Sequence, residues 1–167
     1  MYFCPKNMAF SIRKAELKDA PSILELIQEL ATFEREPDAV KVSKQDIESL
    51  GFGARPLFEC WVATLENDVV GMALFYPRFS TWKGPTLHLE DLIVNEAHKG
   101  KGIGTALYRK FIEIAAARNL RRVEWVVLDW NTSAVEFYQK SGAKVLEDWC
   151  TVQMDEAAMQ NYLKQNP

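Results

Sequence analysis

One segment of this chain, from Leu87 to Leu107, joins an apolar run, a glycine-rich turn and an amphipathic stretch. The run ends in Leu92-Ile93-Val94, and the turn reads Lys99-Gly100-Lys101-Gly102-Ile103-Gly104. This order predicts a strand, a tight turn and a helix. Glycines at alternate positions let backbone N–H groups approach a ligand, and a helix N-terminus favours negative charge. The segment therefore predicts a cradle for a pyrophosphate.

Two common phosphate-binding motifs do not fit the turn. A dinucleotide fingerprint continues Gly-x-Gly-x-x-Gly, but Gly100 and Gly102 are followed by Thr105 at the third glycine position. A P-loop needs Gly-Lys followed by Ser or Thr, whereas Gly100-Lys101 is followed by another glycine. A turn whose glycines only permit tight packing remains the alternative.

Composition limits the class of protein. With 167 residues, 48% of them hydrophobic, the chain can form one domain with a substantial core. A net charge of −3 argues against a nucleic-acid partner. Three cysteines without Cys-x-x-Cys spacing and two histidines disfavour a disulfide framework and a zinc site. We expect a single domain over 8–167, a poorly ordered extension over 1–7, no metal, no membrane span and a cytoplasmic location.

Apolar periodicity and capping residues predict the remaining elements. Asp19 opens a helix that reaches about Phe33, and Ser43-x-x-Asp46 opens a shorter helix that ends near Gly51 or Gly53. Later helices are predicted over 103–118, 133–140 with a left-handed cap at Gly142, and 155–164. Strands are predicted over 9–12, 58–64, 69–76, 87–94, 123–128 and 144–154, with a turn at 66–68 and breaks at Pro77 and 82–85. This order predicts an α/β or α+β domain in which helices cover a sheet.

A second signature follows the glycine turn, Asn131-x-x-Ala134-x-x-Phe137-Tyr138-x-x-x-Gly142. Together the two signatures resemble the GNAT superfamily of acyl-CoA-dependent N-acetyltransferases over nearly the whole chain. The chain is most similar to the spermidine/spermine and thialysine N-acetyltransferase group in the segments Glu29-Leu30-Ala31-x-Phe33-Glu34, Gly51-Phe52-Gly53, Leu89-Glu90-Asp91 and Trp130-Asn131. The resemblance implies a mixed, mostly antiparallel central sheet that is splayed at the coenzyme site, with helices on both faces.

Acetyl-CoA is the co-substrate that the resemblance implies. The implied coenzyme-binding residues are Leu92, Ile93, Val94, Lys99, Gly100, Lys101, Gly102, Ile103, Gly104, Thr105, Asn131, Ala134 and Tyr138. Lys99 stands where the family usually has Arg or Gln, so the positive charge is kept without the fork of Arg. Asn131 has a second reading as a helix cap, and both roles can coexist.

Acetyl transfer to an amine requires that an ammonium group first loses a proton. The resemblance implies that Glu90 is the base, directly or through water. Because an ordinary carboxylate is a weak base for an ammonium, the alternative is that Glu90 binds the cation and orders a water. Tyr138 is the implied acid that protonates the coenzyme sulfur, and its alternative is a packing role beside Phe137. The implied oxyanion donor is a backbone amide near Leu92.

The acceptor site is the least determined part of the prediction. The implied substrate-binding residues are Phe33, Glu34, Ser80, Trp82, Glu90 and Glu147. Ser80 stands where the polyamine pattern has Asp, which argues against long polyamines and leaves a diamine, a lysine-like amino acid or another alkylamine. For Glu34 and Glu147 a solvated surface position is the alternative.

Three functions stay open at this point: acetylation of a small primary amine, acetylation of a protein lysine or N-terminus, and coenzyme binding without catalysis. Aromatic residues favour a partly closed groove over the open groove that a peptide needs, namely Phe33, Phe79, Trp82 and Trp149. Cys60 and Cys150 are expected in the core, and His88 and His98 lack a partner at interpretable spacing. The resemblance also implies a homodimer.

Overall fold

Five strands and five α-helices form in residues 10–166, the part of the chain that this computed structural model describes. In chain order the elements are β1 Ser11–Lys14, α1 Ala20–Phe33, α2 Lys44–Phe52, β2 Glu59–Leu65, β3 Asp68–Ser80, β4 Gly84–Val94, α3 Ile103–Ala117, β5 Val123–Glu124, α4 Thr132–Lys140 and α5 Glu156–Gln165. The described residues divide into two compact units, with the boundary between Val126 and Val127. The sheet belongs to the first unit, and α4 and α5 to the second.

The strands lie side by side in the order of the chain, from β1 to β5. The first three pairings are antiparallel, and β4 pairs with β5 in parallel. The parallel ladder holds two residue pairs, Leu87 with Val123 and His88 with Glu124. Within residues 10–166, β4 therefore has a strand partner from Leu89 to Val94 on the β3 side alone. The predicted mixed, mostly antiparallel and splayed sheet is confirmed.

Two apolar clusters cover the two faces of this sheet. On one face, Leu107 and Phe111 of α3 pack with Phe75 and Leu87. The cluster on the other face joins α1, α2 and the sheet through Ile23, Leu26, Ile47, Val62, Met72 and Ile93. Each helix buries the residues that recur at its own period, as amphipathic helices on a sheet do. The prediction of helices on both faces is confirmed.

The predicted helix starts are confirmed with one difference in chemistry. At α2 the Ser43 hydroxyl accepts a hydrogen bond from the Asp46 amide at 3.2 Å, and the Asp46 carboxylate accepts one from the Ser43 amide at 2.8 Å. Helix α1 begins directly after Asp19, but this carboxylate caps no amide of α1. Instead it accepts two hydrogen bonds from the Arg13 guanidinium, at 2.6 and 2.9 Å.

The predicted break at Pro77 is wrong, because β3 continues to Ser80 and pairs there with Gly84. Strand β2 pairs with β3 no further than Phe75. Beyond that residue, one side of β3 has no partner strand within residues 10–166. At such an edge a proline, which lacks an N–H, breaks no ladder hydrogen bond.

Two other predicted strands are wrong in extent or existence. The strand predicted over 123–128 is limited to Val123–Glu124, and Val126 is 68% exposed. No strand forms over 144–154, where Val152 is 91% exposed. The preference of a residue for a strand reflects how its side chain packs against a neighbouring strand. Within residues 10–166, the segment 144–154 has no neighbouring strand to pack against.

Some predictions fall outside this structure or are not tested by it. The poorly ordered extension predicted over 1–7 lies outside the described residues. The single domain over 8–167 stays a prediction. None of the described helices has the length and apolar character that crossing a bilayer requires.

Candidate functional site

The open edge of β4 presents the backbone of Leu92, Ile93 and Val94. Their side chains alternate between the two faces: Leu92 and Val94 join the α3 cluster, and Ile93 joins the α1 cluster. This anchoring fixes the strand, while in residues 10–166 the backbone groups of its outer edge have no strand partner. Such an edge can pair with an extended ligand, as an added strand would.

Lys99–Thr105, here called the glycine loop, leads from β4 into α3. Gly100 and Gly102 have φ of 76° and 78°, a region that favours glycine, and Gly102 precedes the first residue of α3. The first helical hydrogen bond runs from the Ala106 amide to the Gly102 carbonyl at 3.0 Å. The amides of 103–105 therefore have no acceptor within the helix. They can receive an anion at the positive end of α3.

Gly104 differs from the two glycines before it, because its φ is not positive. A Cβ at this position would lie 3.6 Å from Cγ2 of Val94, which is an ordinary van der Waals contact. The chain itself therefore accepts alanine here, and only a close ligand would require glycine.

The lysines of the glycine loop have partners within the first unit. Lys99 Nζ lies 2.5 Å from the Glu96 carboxylate and 5.1 Å from the centroid of the Phe33 ring. Lys101 Nζ lies 3.0 Å from Nδ1 of His98. Phe33, an expected acceptor-site residue, thus lies against the lysine expected at the pyrophosphate.

Glu29 connects α1 to the approach of the glycine loop. Its carboxylate accepts a hydrogen bond from Nδ2 of Asn95 and another from the Glu96 amide, both at 2.8 Å. Sequence reasoning missed this role, since no spacing rule relates residues that lie 66 and 67 positions apart.

Glu90 lies among side chains that sequence reasoning did not join to it. Its carboxylate is 3.7 Å from Nε2 of His88, so the expectation that His88 lacks a carboxylate partner is wrong. The ring of Tyr76 stacks on His88 at 5.2 Å between centroids. Burial raises the pKa of Tyr76, and a hydrogen bond to Glu90 raises it further.

Asp91 follows Glu90 and is partly buried. Burial raises the pKa of Asp91 to about 7, and the charges of Glu90 and Glu34 add to the shift. Burial also raises the pKa of Glu34, which lies at the C-terminal end of α1. We call Glu34, Glu90 and Asp91 the acidic group. The sequence assigned roles to Glu34 and Glu90 but not to Asp91. The one sequence clue to a role for Asp91 was its position next to Glu90.

The second unit carries the other signature. The Asn131 side chain accepts a hydrogen bond from the Ala134 amide at 3.3 Å, so its reading as the cap of α4 is confirmed. Tyr138 is buried on the same helix, with its ring centroid 5.4 Å from that of Phe137. Gly142 has a φ of 94°, as its predicted cap role requires. Glu147 is exposed between α4 and α5.

Ser80 and Trp82 lie at the tip of the β3–β4 hairpin. The Ser80 hydroxyl accepts hydrogen bonds from the amides of Trp82 and Lys83 at 3.3 and 3.2 Å, and Trp82 is 78% exposed. Gly84, the partner of Ser80, is six residues from Glu90 along β4, or roughly 20 Å. The structure therefore does not bring the hairpin tip to the acidic group.

The remaining candidates have simple environments. Cys60 is buried, as expected, and burial raises the pKa of its thiol, which disfavours a nucleophilic thiolate. Cys150 is exposed, so the expectation that it packs in the core is wrong, because the segment that holds it lines no sheet among the described residues. Its neighbour Trp149 is exposed as well. Among residues 10–166 no three His, Cys, Asp or Glu side chains are grouped as a metal site requires.

Comparison with known proteins places these features in a wider context. The sequence model of the acetyltransferase (GNAT) family matches residues 20–143. A thialysine N-epsilon-acetyltransferase of Bos taurus is 37% identical over 164 residues, which cover 91% of this chain and 96% of that protein. A spermidine/spermine N(1)-acetyltransferase-like protein 1 of Homo sapiens is 36% identical over 141 residues, 80% of this chain and 20% of that protein. Among solved structures, an integron cassette protein of V. cholerae gives a TM-score of 0.77 at 22% identity, covering 94% of this chain and 99% of that one, a likeness of fold alone.

Proposed function

Because this chain belongs to the acetyltransferase (GNAT) family and is an enzyme of acetyl transfer, we propose that its acceptor is the primary amine of a small molecule. The acceptor classes are a diamine, a polyamine or a lysine-like amino acid. The bovine relative is named for thialysine and the human relative for spermidine and spermine, which supports a small amine over a protein amine or a module without catalysis.

The observation that carries this proposal is the acidic group beside the open edge of β4. Glu34, at the end of α1, and Glu90, on β4, both act electrostatically on Asp91 and raise its pKa. Nearby negative charges disfavour the ionisation of a carboxyl group, and a bound cation relieves that repulsion. The group therefore suits an ammonium-bearing acceptor.

The residues at the coenzyme position fit acetyl-CoA. We assign the pantetheine arm to the backbone of Leu92, Ile93 and Val94, and the pyrophosphate to the glycine loop, where the amides of 103–105 lack acceptors within α3. Lys99 and Lys101 supply positive charge, and Asn131, Ala134 and Tyr138 complete the assigned set. When bound, acetyl-CoA supplies the acetyl group as a thioester.

In the proposed mechanism the chain's own residues bind the amine and move protons. Glu90 holds the acceptor ammonium and orders it for proton loss, directly or through water. Tyr138 gives a proton to the leaving sulfur, because a phenol is a hydrogen-bond donor throughout neutral pH. A backbone amide near Leu92 stabilises the oxyanion. Phe33, Glu34 and Glu147 are proposed to contact the acceptor beside Glu90, whereas Ser80 and Trp82, at the hairpin tip, are proposed to contact only an acceptor long enough to span roughly 20 Å.

The proposal extends to assembly and location. A homodimer and a cytoplasmic location are proposed from the family resemblance, together with one acetyltransferase domain over 8–167. The family match over 20–143 crosses the boundary at Val126, which supports the single domain. Equilibrium sedimentation at micromolar concentration is expected to give twice the mass of the chain, and the monomer mass would reject the dimer.

The acceptor class is tested by release of the coenzyme thiol from acetyl-CoA. The panel consists of thialysine, lysine, ornithine, 1,3-diaminopropane, spermidine, an aminoglycoside and a lysine-containing peptide. We expect turnover with at least one small amine and none with the peptide. Turnover with the peptide alone would reject the proposed acceptor class, and binding of acetyl-CoA with no thiol release on any amine would reject catalysis.

The role of Tyr138 is tested by Tyr138→Phe. Loss of the phenol proton is expected to lower kcat by about 100-fold, within the range of general acid catalysis, with little change in the Kd for acetyl-CoA. Tyr162→Phe is the matched control, since Tyr162 lies 57% exposed on α5. Wild-type kcat in Tyr138→Phe would remove the assignment.

A further inference from the structure

A β-bulge interrupts β4 at the acidic group. Phe75 of β3 pairs with Leu89, and the preceding residue, Leu74, pairs with Asp91. Glu90 is therefore an extra residue of β4 that faces no residue of its own on β3. Bulges of this kind re-aim side chains next to functional sites.

The bulge changes the face on which Asp91 lies. Before it, Leu87 and Leu89 belong to the α3 cluster. After it, Leu92 and Val94 belong to that cluster, and Ile93 belongs to the α1 cluster. Strict alternation from Leu89 would place Asp91 in the α3 core, whereas the extra residue places it on the α1 face.

Titratable groups from three elements surround Asp91 on that face. They are Glu90 on β4 itself, Glu34 at the end of α1 and Cys60 on β2. The first two are acidic, and burial raises the pKa of the Cys60 thiol, so that group stays neutral beside Asp91. Leu74, the strand partner of Asp91, is apolar and buried. This setting favours the protonated carboxyl, and the pKa of Asp91 is accordingly raised to about 7.

The two neighbouring carboxyl groups are thus suited to different tasks. The side chain of Glu90 is 52% exposed, where it can meet an incoming cation. A carboxyl group that titrates near neutral pH can accept a proton from an ammonium and release it again, which suits Asp91 to the proton transfer. Partial burial leaves Asp91 a route for that release.

We propose that Asp91, turned to the α1 face by the bulge at Glu90, is the group that takes the proton from the acceptor ammonium, while Glu90 holds the cation. In this step an N–H bond of the ammonium breaks, directly or through one water, and an O–H bond forms on the Asp91 carboxylate. The electron pair stays on nitrogen and then forms the bond to the acetyl carbon as the carbon–sulfur bond breaks. The inference rests on the proposed function and divides its acid–base work between two residues.

The test compares Asp91→Asn with Glu90→Gln, using the amine of the panel above that turns over fastest. Asp91→Asn is expected to lower kcat by about 100-fold with a small change in KM for the amine, and to remove the acidic limb of the kcat profile near pH 7. Glu90→Gln is expected to raise KM for the amine and to keep that limb. The reverse pattern, with the limb lost in Glu90→Gln and kept in Asp91→Asn, would overturn the inference.

A second measurement does not depend on turnover. Carboxyl carbon NMR of the wild-type protein, assigned by loss of one resonance in Asp91→Asn, should give Asp91 a pKa of about 7. A value near 4 would overturn the inference even if Asp91→Asn failed to fold. Failure of the proposed function has a different signature, because the wild type would then release no thiol with any amine.

Discussion

The acidic group includes two residues in the C-terminal half of β4, and the glycine loop follows that strand, yet the two regions are built in different ways. The loop is one continuous stretch, Lys99–Thr105, whose shape depends on two glycines with positive φ and on a helix start. The acidic group combines Glu34 at the end of α1 with two residues of a bulged strand. One region therefore relies on local backbone conformation and the other on tertiary placement.

Because of this difference, the two regions tolerate different substitutions. Backbone amides remain when side chains change, so the loop tolerates substitution except at residues that set φ. The acidic group consists of side chains alone, and the charges of Glu34 and Glu90 raise the pKa of Asp91. We therefore expect coenzyme binding to depend on few positions and acceptor chemistry to depend on charge and pH.

The largest expected effect is on stability and follows from Asp91. Its folded pKa of about 7 lies above the ordinary value of 3.8, so the folded state binds the proton more tightly. Proton binding at Asp91 therefore contributes stability to the folded state. This contribution is present below about pH 4 and is lost as the pH rises through about 7. Asp91→Asn is expected to raise the free energy of unfolding by up to about 4 kcal/mol at pH 8 and by much less at pH 4.

Urea unfolding at these two pH values provides the measurement, with Glu90→Gln as the exposed neighbour control. The same change at both pH values would show that Asp91 is not held protonated by the fold. The acidic group would then lose the coupling that distinguishes it from the glycine loop.

The second effect concerns the backbone of the glycine loop. Gly102→Val places a β-branched residue at a φ of 78°, and Gly84→Val does so at 79° on the β3–β4 hairpin, with open space at both positions. Each variant is expected to lose about 2 kcal/mol of stability. Only Gly102→Val should also weaken acetyl-CoA binding, by about tenfold or more in calorimetry. Equal acetyl-CoA affinity in the two variants would contradict a backbone cradle.

The contrast also explains how far the sequence predicts the fold. Periodic apolar residues and caps are local signals, so α1, α2, α3, α4 and α5 are predicted within a few residues. The continuation of β3 through Pro77 depends on where β2 ends, and the absence of a strand over 144–154 depends on a missing neighbour. Both are tertiary facts that propensity does not contain.

The same distinction holds for the site. The glycine loop is read from consecutive residues, and its positive φ angles follow from glycine. His88 and Glu90 share a face of β4 by simple alternation, but the turning of Asp91 depends on one extra residue in that strand, which an alternating pattern does not reveal. Glu29 was beyond prediction for a similar reason, since its partners are distant in the chain.

Glu29 offers a way to disturb both regions at once, because it joins α1 to the approach of the glycine loop. Glu29→Ala removes the acceptor of two hydrogen bonds of 2.8 Å. We expect a loss of about 1 to 2 kcal/mol in stability and a rise of several-fold in both the Kd for acetyl-CoA and the KM for the amine. Glu25→Ala, on an exposed position of α1, is the control. A change in only one of the two constants would show that the regions are independent.

The smallest expected effect is that of Lys99→Ala. Lys99 already pairs with Glu96 and lies over the Phe33 ring, so part of its charge is engaged, and the amides of the loop remain after the substitution. We expect the Kd for acetyl-CoA to rise by no more than about threefold, in keeping with the modest energy of an exposed ion pair. Lys83→Ala on the hairpin is the control. A rise of tenfold or more would mean that side-chain charge, and not backbone geometry, dominates coenzyme binding, and the contrast between the two regions would fail.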